Sequence, residues 1–219
     1  FFLDGYGDHL VLHSLPTRRS SALLNTAYTP NEVEYFVDNA EPRLVVCDEA
    51  SQAALAPIAA KAGADLQTLN GDGSGTLTEE AAGKPARFDT VPRKGGDLAA
   101  FLYTSGTTGR SKGAMLTQDN LLSNARSLVE AWRFTRDDVL LHALPIFHTH
   151  GLFVAGNIIL LSGGSMIFLP TLKIDQLIEW LPRATSMMGV PTFYTRLLDD
   201  PRFTRALAAH MRLFTSGSA

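Results

Sequence analysis

From Leu23 onward, short apolar runs alternate with stretches whose apolar residues recur at helical spacing. This alternation constrains the fold most, because continuous apolar strands need cover on both faces and amphipathic helices supply it. Leu44 to Cys47, Leu66 to Leu69, Leu98 to Leu102, Val139 to Leu144, Met166 to Leu169, Met187 to Val190 and Arg212 to Thr215 read as strands. Thr29 and Pro30 open a helix with Val33, Phe36, Val37 and Ala40 on one face. Further helices are expected over Gln52 to Ala62, from the cap Thr117 through Trp132, over Gly151 to Leu161, over Gln176 to Arg183 with Asp175 as cap, and over Thr192 to Leu198. Strand and helix alternate at least five times. That is the pattern of an α/β fold with mostly parallel sheets flanked by helices, whose ligands sit beyond the carboxyl ends of strands.

One strand end carries the chemistry. Tyr103-Thr104-Ser105-Gly106-Thr107-Thr108-Gly109-Arg110-Ser111-Lys112-Gly113 lies between two apolar runs. Its glycines let backbone N–H groups face a ligand, its hydroxyls donate further bonds, and Lys112 adds a mobile positive charge. Donors converging without a carboxylate suit a polyanion such as a triphosphate. A polar turn would need only one or two of these residues. The Walker pattern is excluded, since Lys112 follows Ser111 and precedes Gly113 rather than a hydroxyl residue.

This stretch resembles, at nine fixed positions in order, the phosphate-binding loop of the adenylate-forming enzymes, which include acyl-CoA synthetases, peptide-synthetase adenylation domains and luciferases. With Leu144-Pro145-Ile146-Phe147-His148-Thr149-His150-Gly151 and Val190-Pro191-Thr192-Phe193-Tyr194-Thr195-Arg196, the likeness is strongest to malonyl-CoA synthetases. The resemblance implies part of the large N-terminal domain of that fold over residues 22–219, with the small C-terminal domain lying beyond the chain. It implies an ATP-dependent carboxylate–CoA ligase, in which acid and ATP give an acyl-adenylate and the acyl group then passes to coenzyme A. The phosphates would be held by Thr104, Ser105, Gly106, Thr107, Thr108, Gly109 and Lys112, and the nucleoside by Ser216, Gly217 and Ser218. Lys112 and His148 would act in catalysis. His148, His150 and Arg196 would bind the acid, the arginine meeting the second carboxylate of malonate or methylmalonate. Magnesium is implied too, its main ligand being a glutamate beyond this chain, so no metal ligand is assigned here. The expectation is that the 219-residue chain is inactive by itself. The reading from a different class is a nucleotide-binding module that keeps the loop without the chemistry.

Composition bounds the partners. A net charge of −3 argues against nucleic-acid binding. No apolar run approaches the roughly 18 residues of a membrane span; Leu152 to Leu161 is interrupted by Gly156 and Asn157. The single cysteine, Cys47, excludes an internal disulfide framework, fits a reducing compartment such as the cytoplasm, and reads as a core residue. Residues 1–21 have no clear period, and Leu15 to Ser21 is basic and polar. They are expected to lie outside the fold, as a foreign or disordered piece.

Overall fold

Pairing of the apolar runs produces two sheets in two compact units, Phe1–Asn120 and Leu121–Ala219. A computed structural model describes residues 9–14, 21–87, 89–104 and 112–217; at 9–14, 21, 104 and 112 the description covers the backbone alone.

In the first unit, β1 (His9–Ser14) and β2 (Ser21–Asn25) lead into α1 (Pro30–Ala40). Thr29 caps α1 in a reciprocal capping box: its side chain accepts from the Glu32 N–H, and Glu32 accepts from the Thr29 N–H at 2.8 Å. β3 (Pro42–Cys47), α2 (Glu49–Lys61) and β4 (Asp65–Thr68) follow. The second helix begins three residues earlier than its apolar pattern, because Asp48 caps it by accepting from the Ser51 N–H at 2.7 Å. After α3 (Thr76–Ala82), β5 (Leu98–Thr104) pairs with β6 (Lys112–Thr117). Gly75 before α3 has φ 130°, and a side chain there would overlap the Thr68 carbonyl. The sheet order is β4-β3-β1-β2-β5-β6. β3–β4 and β2–β5 are parallel; β1–β2, β1–β3 and β5–β6 are antiparallel. This sheet is therefore mixed, since β5 and β6 form an antiparallel pair where strand–helix alternation alone suggests a crossover. Residues 9–14 lie between β2 and β3 as a strand. Phe36, Val37, Val45, Cys47 and Ile58 form the core here. Burial, then the nearby Asp48 charge, pushes the Cys47 thiol up to about 11, so it stays protonated and inert.

The second unit is the parallel half of the fold. α4 (Gln118–Trp132), capped by Thr117, leads to β7 (Val139–His142). A π-helix, His150–Gly156, runs directly into α5 (Asn157–Ser162), ended by Gly163 at φ 73°. β8 (Ser165–Phe168), α6 (Ile174–Trp180), β9 (Ser186–Gly189), α7 (Pro191–Leu198) and β10 (Leu213–Ser216) complete it. All pairs are parallel, in the order β10-β9-β7-β8. Neighbouring residues split between two cores. Leu141 and Met187 pack with Leu177, Leu181 and Leu197, whereas Leu140 and Met188 pack with Phe134, Ala155 and Ile158. That two-residue period puts an apolar layer on both faces of the sheet, as the apolar strands require.

Three expectations shift. The helix expected over Gly151 to Leu161 is a wide π-turn for its first half. Asp175 does not cap α6: it lies in the first turn, and its carboxylate accepts from Arg202 at 2.6 Å. The helix expected to reach Arg183 gives way to a 3-10 turn, Leu181–Arg183, at Pro182.

Candidate active site

Because the second sheet is wholly parallel, the carboxyl ends of its strands lie along one edge. From β7 the chain leaves through Ala143, Leu144, Pro145 and Ile146 into Phe147-His148-Thr149-His150. From β10 it leaves through Ser216 and Gly217, whose N–H donates to the Gly189 carbonyl at the end of β9 at 3.2 Å. The Tyr194 hydroxyl of α7 lies within hydrogen-bonding reach of the Met187 and Thr215 carbonyls, which fastens β9 to β10 just below this edge.

The two histidines of the β7 loop have different surroundings. His148 is exposed and lies against Phe147, with ring centroids 4.8 Å apart and tilted at 48°. Its ring has no hydrogen-bond partner among the described residues. His150 is buried, 9% exposed, and its Nδ1 has no partner among the described residues. Burial lowers its pKa below the usual histidine value, while the Gly217 backbone beside the ring opposes that shift. Two stretches 67 residues apart, the β7 loop with His150 and the β10 end with Gly217, thus leave the same edge of one parallel sheet.

The loop is held tightly. The His148 N–H donates to the Pro145 carbonyl at 3.3 Å, and the Leu152 N–H donates to the His148 carbonyl at 3.0 Å. Gly151 is the close-approach point, since a Cβ there would overlap the Pro145 carbonyl. His142, at the end of β7, reaches the Gly151 carbonyl through Nε2 at 2.7 Å. No motif in the sequence singles out His142; its signal there is an imidazole closing the apolar run Val139-Leu140-Leu141. Burial lowers its pKa, the Gly151 carbonyl opposes this, and the nearby His150 adds to the lowering.

In the first unit, Thr104 and Lys112 are directly paired across β5 and β6. Their Cα atoms are therefore roughly 4.5–5.5 Å apart. Ser105, Gly106, Thr107, Thr108 and Gly109 lie outside the described residues, as does Ser218. The base of the loop is braced by Tyr103, whose hydroxyl donates to Asn39 Oδ1 of α1 at 3.0 Å and whose ring lies 4.5 Å from Phe36. Arg196 is exposed on the last turn of α7, with no carboxylate partner among the described residues. Among those residues, no group of three or more His, Cys, Asp or Glu side chains is placed to hold a metal ion.

Residues 21–219 match the family model of the AMP-binding enzyme. The chain belongs to the AMP-binding enzyme family. Its fold is part of the large N-terminal domain of the adenylate-forming enzymes. The mitochondrial malonate–CoA ligase of Mus musculus is 35% identical over 204 residues, covering 86% of this chain and 34% of that protein. The malonate–CoA ligase of Arabidopsis thaliana is 31% identical, covering 90% and 36%. ATP-bound MatB from Rhodopseudomonas palustris is 61% identical, with a TM-score of 0.86 over 90% of this chain and 39% of that one. A malonyl-CoA ligase complex with methylmalonyl-CoA and AMP matches at 31% identity with a TM-score of 0.70 over 90% and 40%. This AMP-binding enzyme chain thus spans little more than a third of the curated relatives it matches.

Proposed function

We propose that the chain is the nucleotide- and acid-binding part of an ATP-dependent carboxylate–CoA ligase acting on a small dicarboxylic acid, malonate or methylmalonate. The observation that carries this reading is that the β7 loop with His148 and His150 and the β10 end with Ser216 and Gly217 leave the same carboxyl edge of one parallel sheet. That edge is where ligands of such sheets bind. The names of the relatives supply the acid.

In the proposed reaction a carboxylate oxygen attacks the α-phosphorus of ATP, pyrophosphate leaves, and the acyl-adenylate forms. The thiol of coenzyme A then attacks the acyl carbon, and AMP leaves. Magnesium, when bound, would offset charge on the phosphates. The segment Thr104 to Gly109 cradles the phosphates, and Lys112 offsets negative charge on the departing pyrophosphate. Ser216, Gly217 and Ser218 leave room for the flat base and ribose. His148, exposed at the crest of its turn, donates to the reacting carboxylate, while neutral His150 forms the wall behind it. Arg196, with no carboxylate partner among the described residues, meets the distal carboxylate of the acid. A cytoplasmic setting is proposed as well, and the buried unpaired Cys47 suits it; no helix among the described residues is long and apolar enough to cross a membrane.

The test is a chimera in which residues 22–217 replace the matching segment of R. palustris MatB, assayed beside its host for carboxylate-dependent ATP–pyrophosphate exchange. Exchange with malonate above that with butyrate supports the reading. ATP binding without exchange for any acid, from a folded chimera of an active host, would instead favour a nucleotide-binding module.

A further inference from the structure

The peptide unit joining Gly151 to Leu152 is held at both ends. Its carbonyl lies 2.7 Å from His142 Nε2, and its N–H donates to the His148 carbonyl at 3.0 Å. A carbonyl can only accept, so the His142 proton resides on Nε2. The ring is 1% exposed and lies against Phe168, with centroids 5.2 Å apart and tilted at 49°. Its Nδ1 has no hydrogen-bond partner among the described residues. A leucine or phenylalanine would continue the apolar run and leave no unanswered nitrogen in the interior, where such an atom is costly. What the imidazole supplies, and those residues cannot, is a donor at the Gly151 carbonyl.

We propose that His142 is a positioning residue for the acid-binding histidines: by clamping the Gly151–Leu152 peptide, it fixes the turn on which His148 and His150 stand. The clamp rests on the two bonds above; only its purpose rests on the proposed acid site. His150 precedes Gly151 directly in the chain, and His148 supplies the carbonyl that closes the clamp. Gly151 cannot move inward, because it already abuts the Pro145 carbonyl. Without the His142 donor the peptide can rotate outward, and the two histidines lose their common support. The π-helix begins at this point, and such wide turns recur where side chains are aimed at a ligand.

The test compares the intact chain with His142→Gln and His142→Leu. Glutamine can place an amide N–H where Nε2 stands, whereas leucine fills the space without a donor. In the unaltered chain, imidazole nitrogen NMR should find His142 as the Nε2–H tautomer, with that proton slow to exchange. Leucine should speed exchange of the Leu152 amide by about five- to tenfold, the usual worth of one net hydrogen bond. It should also shift the His148 and His150 ring signals, and glutamine should restore both. Equal behaviour of leucine and glutamine would overturn the proposal, as would an Nδ1–H tautomer, which needs no variant to observe. Malonate titration of the unaltered chain separates the two ideas. Silence of both ring signals counts against the acid site, while the exchange data still decide the clamp.

Discussion

Asp138 is the residue whose loss should weaken the second unit most for the fewest atoms removed. Its carboxylate, on a residue 4% exposed, accepts from the Thr135 N–H at 2.8 Å, the Thr185 hydroxyl at 2.8 Å, and Arg212 Nε and Nη2 at 3.0 and 2.9 Å. Arg212 also donates to the Trp132 carbonyl at 2.7 Å and lies 5.0 Å from the Phe134 ring centroid. The network joins the amino ends of β7, β9 and β10. Breaking a buried ion pair by removing one partner costs about 3–5 kcal/mol. Here the lower end applies to Asp138→Ala, because the Arg212 side chain is 38% exposed and can rehydrate. We expect about 3 kcal/mol for Asp138→Ala. Arg212→Ala should cost a similar amount, since it strands a buried carboxylate.

The assay is urea unfolding followed by tryptophan fluorescence. Both tryptophans of the chain, Trp132 and Trp180, lie in the second unit, so the signal reports that unit alone. Acidity supplies an independent arm. Burial raises the Asp138 pKa, but the bonds from Thr135, Thr185 and Arg212 prevail and hold it below the ordinary aspartate value of 3.8. With the folded pKa depressed, the unfolded chain binds more protons on the acid side. This contribution is therefore present above about pH 4 and lost as pH falls through the folded value. Asp138→Asn should lack that acid-side loss. A loss below about 1 kcal/mol for Asp138→Ala, or additive effects of the Asp138 and Arg212 changes in a double-mutant cycle, would refute the network as a stabilising unit.

Three further outcomes follow from the site. In the MatB chimera, Lys112→Ala should lower adenylation about 10²–10³-fold, as loss of one preorganised donor at a charged transition state does; a change below about threefold in the exchange assay would mean a solvated lysine. Arg196→Ala in the same chimera should penalise malonate by roughly 2–5 kcal/mol in kcat/KM if the bound acid excludes water from the pair. Butyrate should lose little, and equal losses for both acids would assign the arginine a structural role. Gly151→Ala should destabilise the second unit by about 1–3 kcal/mol through overlap with the Pro145 carbonyl; unchanged urea midpoints would refute the close packing of the turn.

Local pattern carried much of this fold, and long-range geometry carried the rest. Thr29 and Thr117 mark helix ends because capping is a matter of three or four neighbouring residues. Leu140, Leu141, Met187 and Met188 announce buried parallel strands because apolar runs of that length need cover on both faces. The β5–β6 pairing was not legible, since a glycine-rich loop after a strand can lead into a helix or turn back into a hairpin. The Asp138–Arg212 pair was hidden for a different reason: its partners are 74 residues apart, and nothing local links them. His148 and His150 stood out as a pair, but sequence gave no ground for separating an exposed ring from a buried one. The folded turn makes that separation, with His148 exposed and His150 buried.

The second sheet treats its two ends differently. At the amino ends of its strands the Asp138 carboxylate is answered fully, by a backbone N–H, a hydroxyl and a guanidinium. Among the described residues, the buried polar side-chain atoms without a partner are His142 Nδ1, His150 Nδ1 and Thr215 Oγ1, toward the carboxyl ends, and Gln176 Oε1 on α6. Native interiors answer nearly all such atoms, so several on one side of one sheet are not a random residue of imperfect packing. Each costs stability where it stands. A chain selected for stability alone could replace the first three with apolar side chains of similar size. Keeping them along the edge where ligands of parallel sheets bind fits a site held at the expense of its own end of the sheet, with the Asp138 network securing the other.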